Sequence, residues 1–327
     1  MPSSLLPLLA QWIMLSNHTH TLASPDSGLQ VAQLAGLAEA RGVHAVVITD
    51  HNSVAAVLDP AFKASGPVTL IEGQEWGDIL GPRFIGHIGM MGLRGDVAVS
   101  PRLPLDEALG EARARGALAV VNHPFNVFLP FKHQDLPAEA GGIEVWNQPW
   151  NSWEMNNGQA LAWWDAVLRA GRRAVGVGGS DVHGIPLLGT FGAGNVDEPV
   201  NLVWAEDAST DAIMRALHAG RVVITRDAKG PRLDMQVGAA RIGDEAPGGA
   251  PATASVRVTG GNKRVLALFG RDGKVFEQRL ESDDAAIEVP FTPRPDHDFL
   301  RAELREVSGW PEPEMAALSN PIYFRGR

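Results

Sequence analysis

Four times in the first 230 residues, a segment whose apolar positions recur at helical spacing closes at a glycine, and a short apolar run follows within a few residues. The pairs are 29–41 with 45–49, 105–115 with 117–121, 159–170 with 173–177, and 212–219 with 222–225; the closing glycines are Gly42, Gly116, Gly171 and Gly220. A glycine just past a helix accepts the left-handed conformation that ends it, and runs of four to six apolar residues without polar alternation suit strands covered on both faces. The pattern predicts an α/β fold with a mainly parallel sheet. Further strands are predicted at 13–20, 68–72, 84–90 and 143–146, which makes seven or eight before Gly230.

After Pro231 the texture changes. The runs at 236–241, 252–259, 263–270, 274–280, 286–291 and 299–307 are short, often alternate polar with apolar, and are separated by turns such as Thr259-Gly260-Gly261-Asn262 and Arg271-Asp272-Gly273. This predicts a small antiparallel β-sandwich, Ig-like, over 231–327, behind a larger domain over 1–230. In the larger domain, polar residues gather just after buried strands: Thr49-Asp50-His51, Asn122-His123, Trp146-Asn147 and Ser180-Asp181-Val182-His183. In a (β/α) barrel the loops after the strands build one face, so these groups would converge; a doubly wound open sheet would gather them less completely.

Composition narrows the choice of partners. With 327 residues, 45% of them hydrophobic and 20% charged, the chain has ample material for a large core and a smaller one. The 38 acidic residues outnumber 28 Lys and Arg, for a formal charge of −10, and no basic run offers a phosphate-tracking patch, so nucleic acid is not an expected partner. The absence of cysteine removes disulfides, thiolate metal sites, iron–sulfur clusters and a cysteine nucleophile. Residues 1–14 are apolar in part but lack a basic n-region and fall short of the ~20 residues that span a bilayer, so a cytoplasmic protein without a membrane partner is expected. The chain carries no sign of its oligomeric state.

Six of the ten histidines fall on the expected loop face: His18, His20, His51, His87, His123 and His183. The other four, His44, His133, His218 and His297, are assigned to surface or packing. His18-Thr19-His20 uses the strand period of two, so both imidazoles face one side and can grip one ion; Asp181-Val182-His183 repeats that logic with a carboxylate and an imidazole. Either pair alone is a weak signal. Together with Asp50-His51, Glu75, His87 and His123 they indicate a metal centre.

As an ordered set, these residues resemble the polymerase-and-histidinol-phosphatase (PHP) family of metal-dependent phosphoesterases. The stretches that carry the resemblance are Asn17-His18-Thr19-His20-Thr21, Ile48-Thr49-Asp50-His51-Asn52, Glu72-Gly73-Gln74-Glu75, Gly86-His87-Ile88, Asn122-His123-Pro124 and Gly179-Ser180-Asp181-Val182-His183-Gly184. Ile143-Glu144-Val145-Trp146-Asn147 and Asn320-Pro321-Ile322-Tyr323 look like the branch that includes the carbaryl hydrolases, the CehA/McbA-like proteins. The resemblance implies a distorted, TIM-like (β/α)7 barrel with metal at the C-terminal ends of its strands. His18, His20, Glu75 and Asp181 would hold one divalent transition-metal ion and Glu75, His87 and His123 a second, with Glu75 bridging; a bridging carboxylate suits two ions ~3.5–4 Å apart that share an attacking hydroxide. His51 and His183 would complete a third site or face the substrate. Where three-metal members carry another histidine, this chain has Asp26, expected as an N-cap, so any third ion is expected to be weakly held. Zinc, iron and manganese all suit such ligands.

The implied reaction is hydrolysis of a small phosphate ester, with His51 or His183 protonating the leaving oxygen and Asp50 orienting a ligand histidine. Arg83, Lys132 and Arg226 are the candidate phosphate contacts. Trp146, with Trp150 and Trp153, is the candidate apolar wall, whereas Trp163 and Trp164 fit a helix core. A metal-dependent carbamate or amide hydrolase would use the same centre, and a non-catalytic metal-binding module is the third reading. There is no nucleophile elbow, Walker loop or dinucleotide fingerprint.

Overall fold

The computed structural model describes residues 10–64, 66–78, 81–184, 195–309 and 312–326. Strand β1 (Gln11–Thr19) leads through α1 (Val31–Ala40) into β2 (Ala45–Ile48). A 3-10 turn at Ala55–Leu58 and the one-turn α2 (Pro60–Lys63) precede β3 (Thr69–Trp76), and β4 (Ile88–Met91) follows. Then come α3 (Leu105–Ala114), β5 (Leu118–Val121), β6 (Gly142–Asn147), α4 (Asn157–Arg169), β7 (Val175–Gly179), β8 (Val200–Ala205), α5 (Thr210–His218) and β9 (Val222–Thr225). Each of the four helix–glycine–strand units read from the sequence is present, and Gly42, Gly116, Gly171 and Gly220 all take positive φ.

Strands β1, β2 and β3 pair in parallel, as do β5, β6 and β7. A parallel bridge from Thr19 to Val182, with Asp181 N donating to His18 O at 2.7 Å, brings the end of β7 round to β1 and curls the sheet. The sheet is nevertheless not a uniform (β/α)7 repeat. β4 runs antiparallel to both β3 and β5, and antiparallel neighbours can be joined without a crossover helix. β3 also continues past the expected end at 72, because Gly73 allows close pairing: a Cβ there would lie 2.9 Å from Ile48 O and 3.0 Å from Met90 O. That extension carries Glu75 to the mouth of the sheet. β8 was not expected, since Asn201 interrupts its apolar run. Asn201 is fully buried, takes the Gly178 N–H at 2.8 Å and returns a bond to Gly178 O, so the polar residue serves the sheet.

The remaining strands are β10 (Arg232–Val237), β11 (Ala240–Arg241), β12 (Glu245–Pro247), β13 (Ala252–Thr259), β14 (Val265–Gly270), β15 (Gly273–Arg279), β16 (Ala285–Phe291), β17 (His297–Arg305), β18 (Met315–Ser319) and β19 (Ile322–Arg325). A four-stranded sheet, β11-β10-β13-β16, forms one layer. The facing strands join the large sheet, because β18 pairs antiparallel with β9 through Ala317–Thr225, Leu318–Ile224 and Ser319–Val223. Leu202 of β8 and Val223 of β9 lie in the same apolar cluster as Leu233, Val256, Leu268 and Phe324. Residue 230 therefore marks a change of strand texture but not a break in the sheet. Buried Arg301 adds a clasp to α4, with both Asp165 oxygens at 2.7 and 2.8 Å. Among the described residues, no helix is long and apolar enough to cross a membrane.

This shared layer has a measurable consequence. A chain ending at 230 would leave the β9 edge and the Leu202–Val223 surface uncovered, so it is expected to lose its sharp thermal transition and near-UV circular dichroism. A cooperative melt within a few degrees of the full chain's would show that the first 230 residues are self-sufficient.

Candidate metal centre

At the curled sheet's C-terminal end, buried polar side chains crowd one point. His18, His20, Glu75, His87, His123, Asp181 and His183 are each at most 4% exposed, a burial that such groups reach only when they are paired or hold an ion. His18, His123 and Asp181 all have positive φ (60°, 27° and 51°), backbone strain of the kind that collects at functional sites. His18 thus leaves the regular strand that its spacing predicts, and the pairing of β1 with β2 shifts register between Ser16 and Thr19. Its ring still lies beside that of His20, centroids 5.2 Å apart.

Glu75 sits at the centre. Its Oε1 lies 3.0 Å from His18 Nε2, 3.4 Å from His87 Nδ1 and 3.3 Å from His123 Nε2, while Oε2 lies 3.5 Å from His20 Nε2 and 3.2 Å from His51 Nδ1. Asn122 donates its amide to Oε1 at 2.9 Å. Asp181 Oδ1 is 3.3 Å from His18 Nε2 and 3.4 Å from His20 Nε2. All the residues assigned from sequence to the first two sites are therefore brought together. His20 Nε2 and His51 Nδ1 are buried nitrogens without a hydrogen-bond partner, although each faces a carboxylate. Imidazole nitrogens and carboxylate oxygens packed without hydrogen bonds are a donor set that fits a divalent transition metal.

Asp26 is a correction. It caps no helix: the residue before α1 is Gln30. Its Oδ2 lies 3.2 Å from His51 Nε2 and 3.4 Å from His183 Nε2, and His20, Asp26, His51 and His183 offer ligand atoms all within 4.8 Å of one another. Loop closure does this, with Ser24 Oγ donating to Asp26 at 2.7 Å and Ser27 Oγ to His183 O at 2.9 Å. Nothing local to the Ser-Pro-Asp-Ser-Gly turn signals a partner more than 150 residues away.

Other expected roles also change. Asp50 touches no ligand ring; it accepts from Thr21 N at 2.5 Å and Thr21 Oγ1 at 2.7 Å, clamping the loop after His20. Trp146 and Trp150 are buried and meet edge to face at 5.3 Å, so they are core rather than wall. Trp153 is 68% exposed and pairs with Phe128, 57% exposed, at 5.9 Å. Arg83 reaches out to Asp78 at 3.8 Å, and Arg226 turns away to Glu306 at 3.3 Å. Lys132 is closer to the centre: its ammonium stands 5.0 Å over Phe84, whose ring meets His87 edge-on at 5.4 Å. His44, His218 and His297 bond to backbone away from the centre, and Trp164 is fully buried, as expected. Glu144 has no role legible from its neighbours in sequence, yet it is 1% exposed and contacts His18 Nδ1 at 2.8 Å. A lone carboxylate inside an otherwise apolar strand was the available signal.

The charges are mutually dependent. Burial pushes His18 down, but Asp181, Glu75 and Glu144 overcome it and hold the imidazole well above its ordinary 6.5. His51, His123 and His183 are likewise raised against burial, chiefly by Glu75 for the first two and by Asp26 for His183. Burial, with His183 and His51 alongside, pushes His20 down to about 3, and burial also lowers His87. Glu75 and Asp181 are held below the usual carboxylate range despite burial, by His18 above all, whereas burial pushes Asp50 up to about 6. Groups with raised values bind protons more tightly folded than unfolded, so their stabilisation is full below 6.5 and is lost as pH rises through the raised values. Metal-free protein is therefore expected to gain thermal stability from alkaline pH down to about 6.5. Below that, His20 and His87 work in the opposite direction. Metal-loaded protein is expected to show the reverse slope over the alkaline range, since protons compete for the ligands; parallel slopes with and without chelator would contradict this.

No protein-family model matches this chain, and no curated protein matches it. Among solved structures, a two-domain protein from Bacteroides vulgatus, named as containing a predicted PHP-like metal-dependent phosphoesterase, is 16% identical and matches over 96% of both chains with a TM-score of 0.53. A metal-dependent phosphoesterase, so named, from Bifidobacterium adolescentis (17% identity, 55% of this chain and 91% of that one, TM-score 0.39) matches in part, as does an amidohydrolase from Chromobacterium violaceum (15%, 52% and 87%, TM-score 0.37). Over nearly its whole length, and with both of its strand textures included, this chain has the overall fold of the two-domain PHP-like protein from Bacteroides vulgatus.

Proposed function

We propose that the protein is a metal-dependent hydrolase that cleaves a small phosphate ester. The observation that carries this is Glu75, one carboxylate whose two oxygens face five imidazoles. His18, His20, Glu75 and Asp181 would hold one ion and Glu75, His87 and His123 a second. Two divalent ions held there would supply an acidified water and neutralise charge on phosphoryl oxygens. The chain's own residues do the rest. Asp26 lies against both His51 and His183 and keeps a proton on an imidazole beside the centre, ready for the leaving oxygen. Asn122 fixes the Glu75 rotamer, and Lys132, over Phe84 at the rim, is the basic group placed to meet a phosphate.

The second reading, a carbamate or amide hydrolase, is favoured by the exposed Phe128–Trp153 pair on the loops that leave His123 and Asn147, which offers apolar surface for an aryl group. A hydrolysis screen over phosphomonoesters, phosphodiesters and aryl carbamates, with metal-supplemented protein and a chelator control, decides between them. Chelator-sensitive phosphate release is the expected result, and carbamate cleavage without phosphatase activity would overturn the preferred reading. Two ions per chain are expected by elemental analysis. Three would place the third ion among His20, Asp26, His51 and His183 and reassign His51 and His183 from proton donors to ligands.

A further inference from the structure

Glu144 is tied to both halves of the centre at once. Its Oε1 lies 2.8 Å from His18 Nδ1, and its Oε2 accepts the backbone N–H of His123 at 2.6 Å. Oε2 also takes the side-chain amide of Asn147 at 2.9 Å. Asn147 is in turn held by Asn157, the first residue of α4, whose Oδ1 takes the Asn147 N–H at 2.8 Å and whose Nδ2 reaches Asn147 O and Trp150 O, both at 3.0 Å. All four side chains of this relay, His18, Glu144, Asn147 and Asn157, are at most 3% exposed. Room for it is made in β7: a Cβ on Gly179 would fall 1.7 Å from Glu144 Oε1.

We infer that Glu144 is the positioning residue of the metal centre, and that the relay from α4 sets the ring state of His18 and the place of His123 together. This rests on the metal-hydrolase reading above. An ionised carboxylate only accepts, so Glu144 holds a proton on His18 Nδ1 and makes Nε2, the nitrogen that faces Glu75 and Asp181, the one that would be given to a metal. The same carboxylate anchors the backbone of His123, a ligand of the other expected ion. One buried side chain thereby ties together the ligands of two ions through acceptors that an amide cannot reproduce.

Glutamine tests this, because an amide has one oxygen and one NH2. Turned one way, Glu144→Gln presents a donor to His18 Nδ1 and drives the ring proton to Nε2; turned the other, it sets a donor against the His123 and Asn147 N–H groups. Binding of Zn2+ or Mn2+ alone, by chelator competition, is expected to weaken about tenfold or more in Glu144→Gln, with Glu144→Asp recovering part of it. Asn147→Leu is expected to weaken it a few-fold. The melting temperature of metal-free Glu144→Gln is expected to stay near that of the parent. Affinity within twofold of the parent would overturn the proposal even with turnover intact, and Glu75→Ala in the same assay shows whether metal binding itself is the point at fault. Nitrogen NMR of the zinc-loaded parent gives a reading independent of any variant: the His18 proton is expected on Nδ1, and a proton on Nε2 would overturn the inference.

Discussion

Glu75→Ala is expected to strip the centre of most of its metal and to lower hydrolysis by roughly a thousandfold or more, about 4 kcal/mol of transition-state stabilisation. Among the described residues, no other carboxylate in the cluster faces so many imidazoles. His18, His87 and His123 meet one oxygen and His20 and His51 the other, so removing the carboxylate takes a ligand from both expected sites and the counter-charge from the rings of His18, His51 and His123. The metal-free protein should still fold, because the apolar cluster behind the site, including Leu15, Val47, Ile71 and Val121, is untouched. Elemental analysis after dialysis against the supplied metal is the check. Two ions retained in Glu75→Ala would mean that Asp181 and the histidines suffice and that the bridge is misassigned.

The second large effect concerns proton transfer. His183 uses Nδ1 on Asp181 O at 2.9 Å, which leaves Nε2 toward Asp26 at 3.4 Å. Burial works against the protonated ring, but Asp26 and Asp181 overcome it, so His183 is raised above 6.5 and can carry a proton at neutral pH. His183→Asn keeps a side-chain amide for the Asp181 carbonyl and removes the proton. Substrates with poor leaving groups are expected to slow by about a hundredfold or more, whereas nitrophenyl esters, whose leaving oxygen needs no proton, should slow by less than about tenfold. Equal losses on both substrate classes would exclude His183 as the acid, and metal lost in parallel would make it a ligand. Asp26→Asn should reproduce the leaving-group dependence in weaker form, because it removes the carboxylate that holds the proton.

The amino-acid pattern alone made legible which residues form the elements and which polar groups gather at one point. Helical spacing closed by Gly42, Gly116, Gly171 and Gly220 was legible because a helix end and a buried strand are local physics, set by backbone conformation and burial over about a dozen residues. His18, His20, Glu75, His87, His123 and Asp181 were legible because each lies at a strand end, and the ends of neighbouring strands share one face. Partnership between distant segments was not legible. Asp26 reads as a turn residue until loop closure sets it against His51 and His183. Trp146 reads as a candidate wall residue until it is found inside the core, and the pairing of β18 with β9 across the boundary at 230 leaves no local sign. Glu144 stands in an apolar strand as an unexplained charge; only the fold, by placing His18 at 2.8 Å and opening space at Gly179, gives that charge a partner. A hydrogen bond or ion pair between segments more than 100 residues apart leaves no periodicity behind, so its residues were visible in the sequence and their pairing was decided by the tertiary structure.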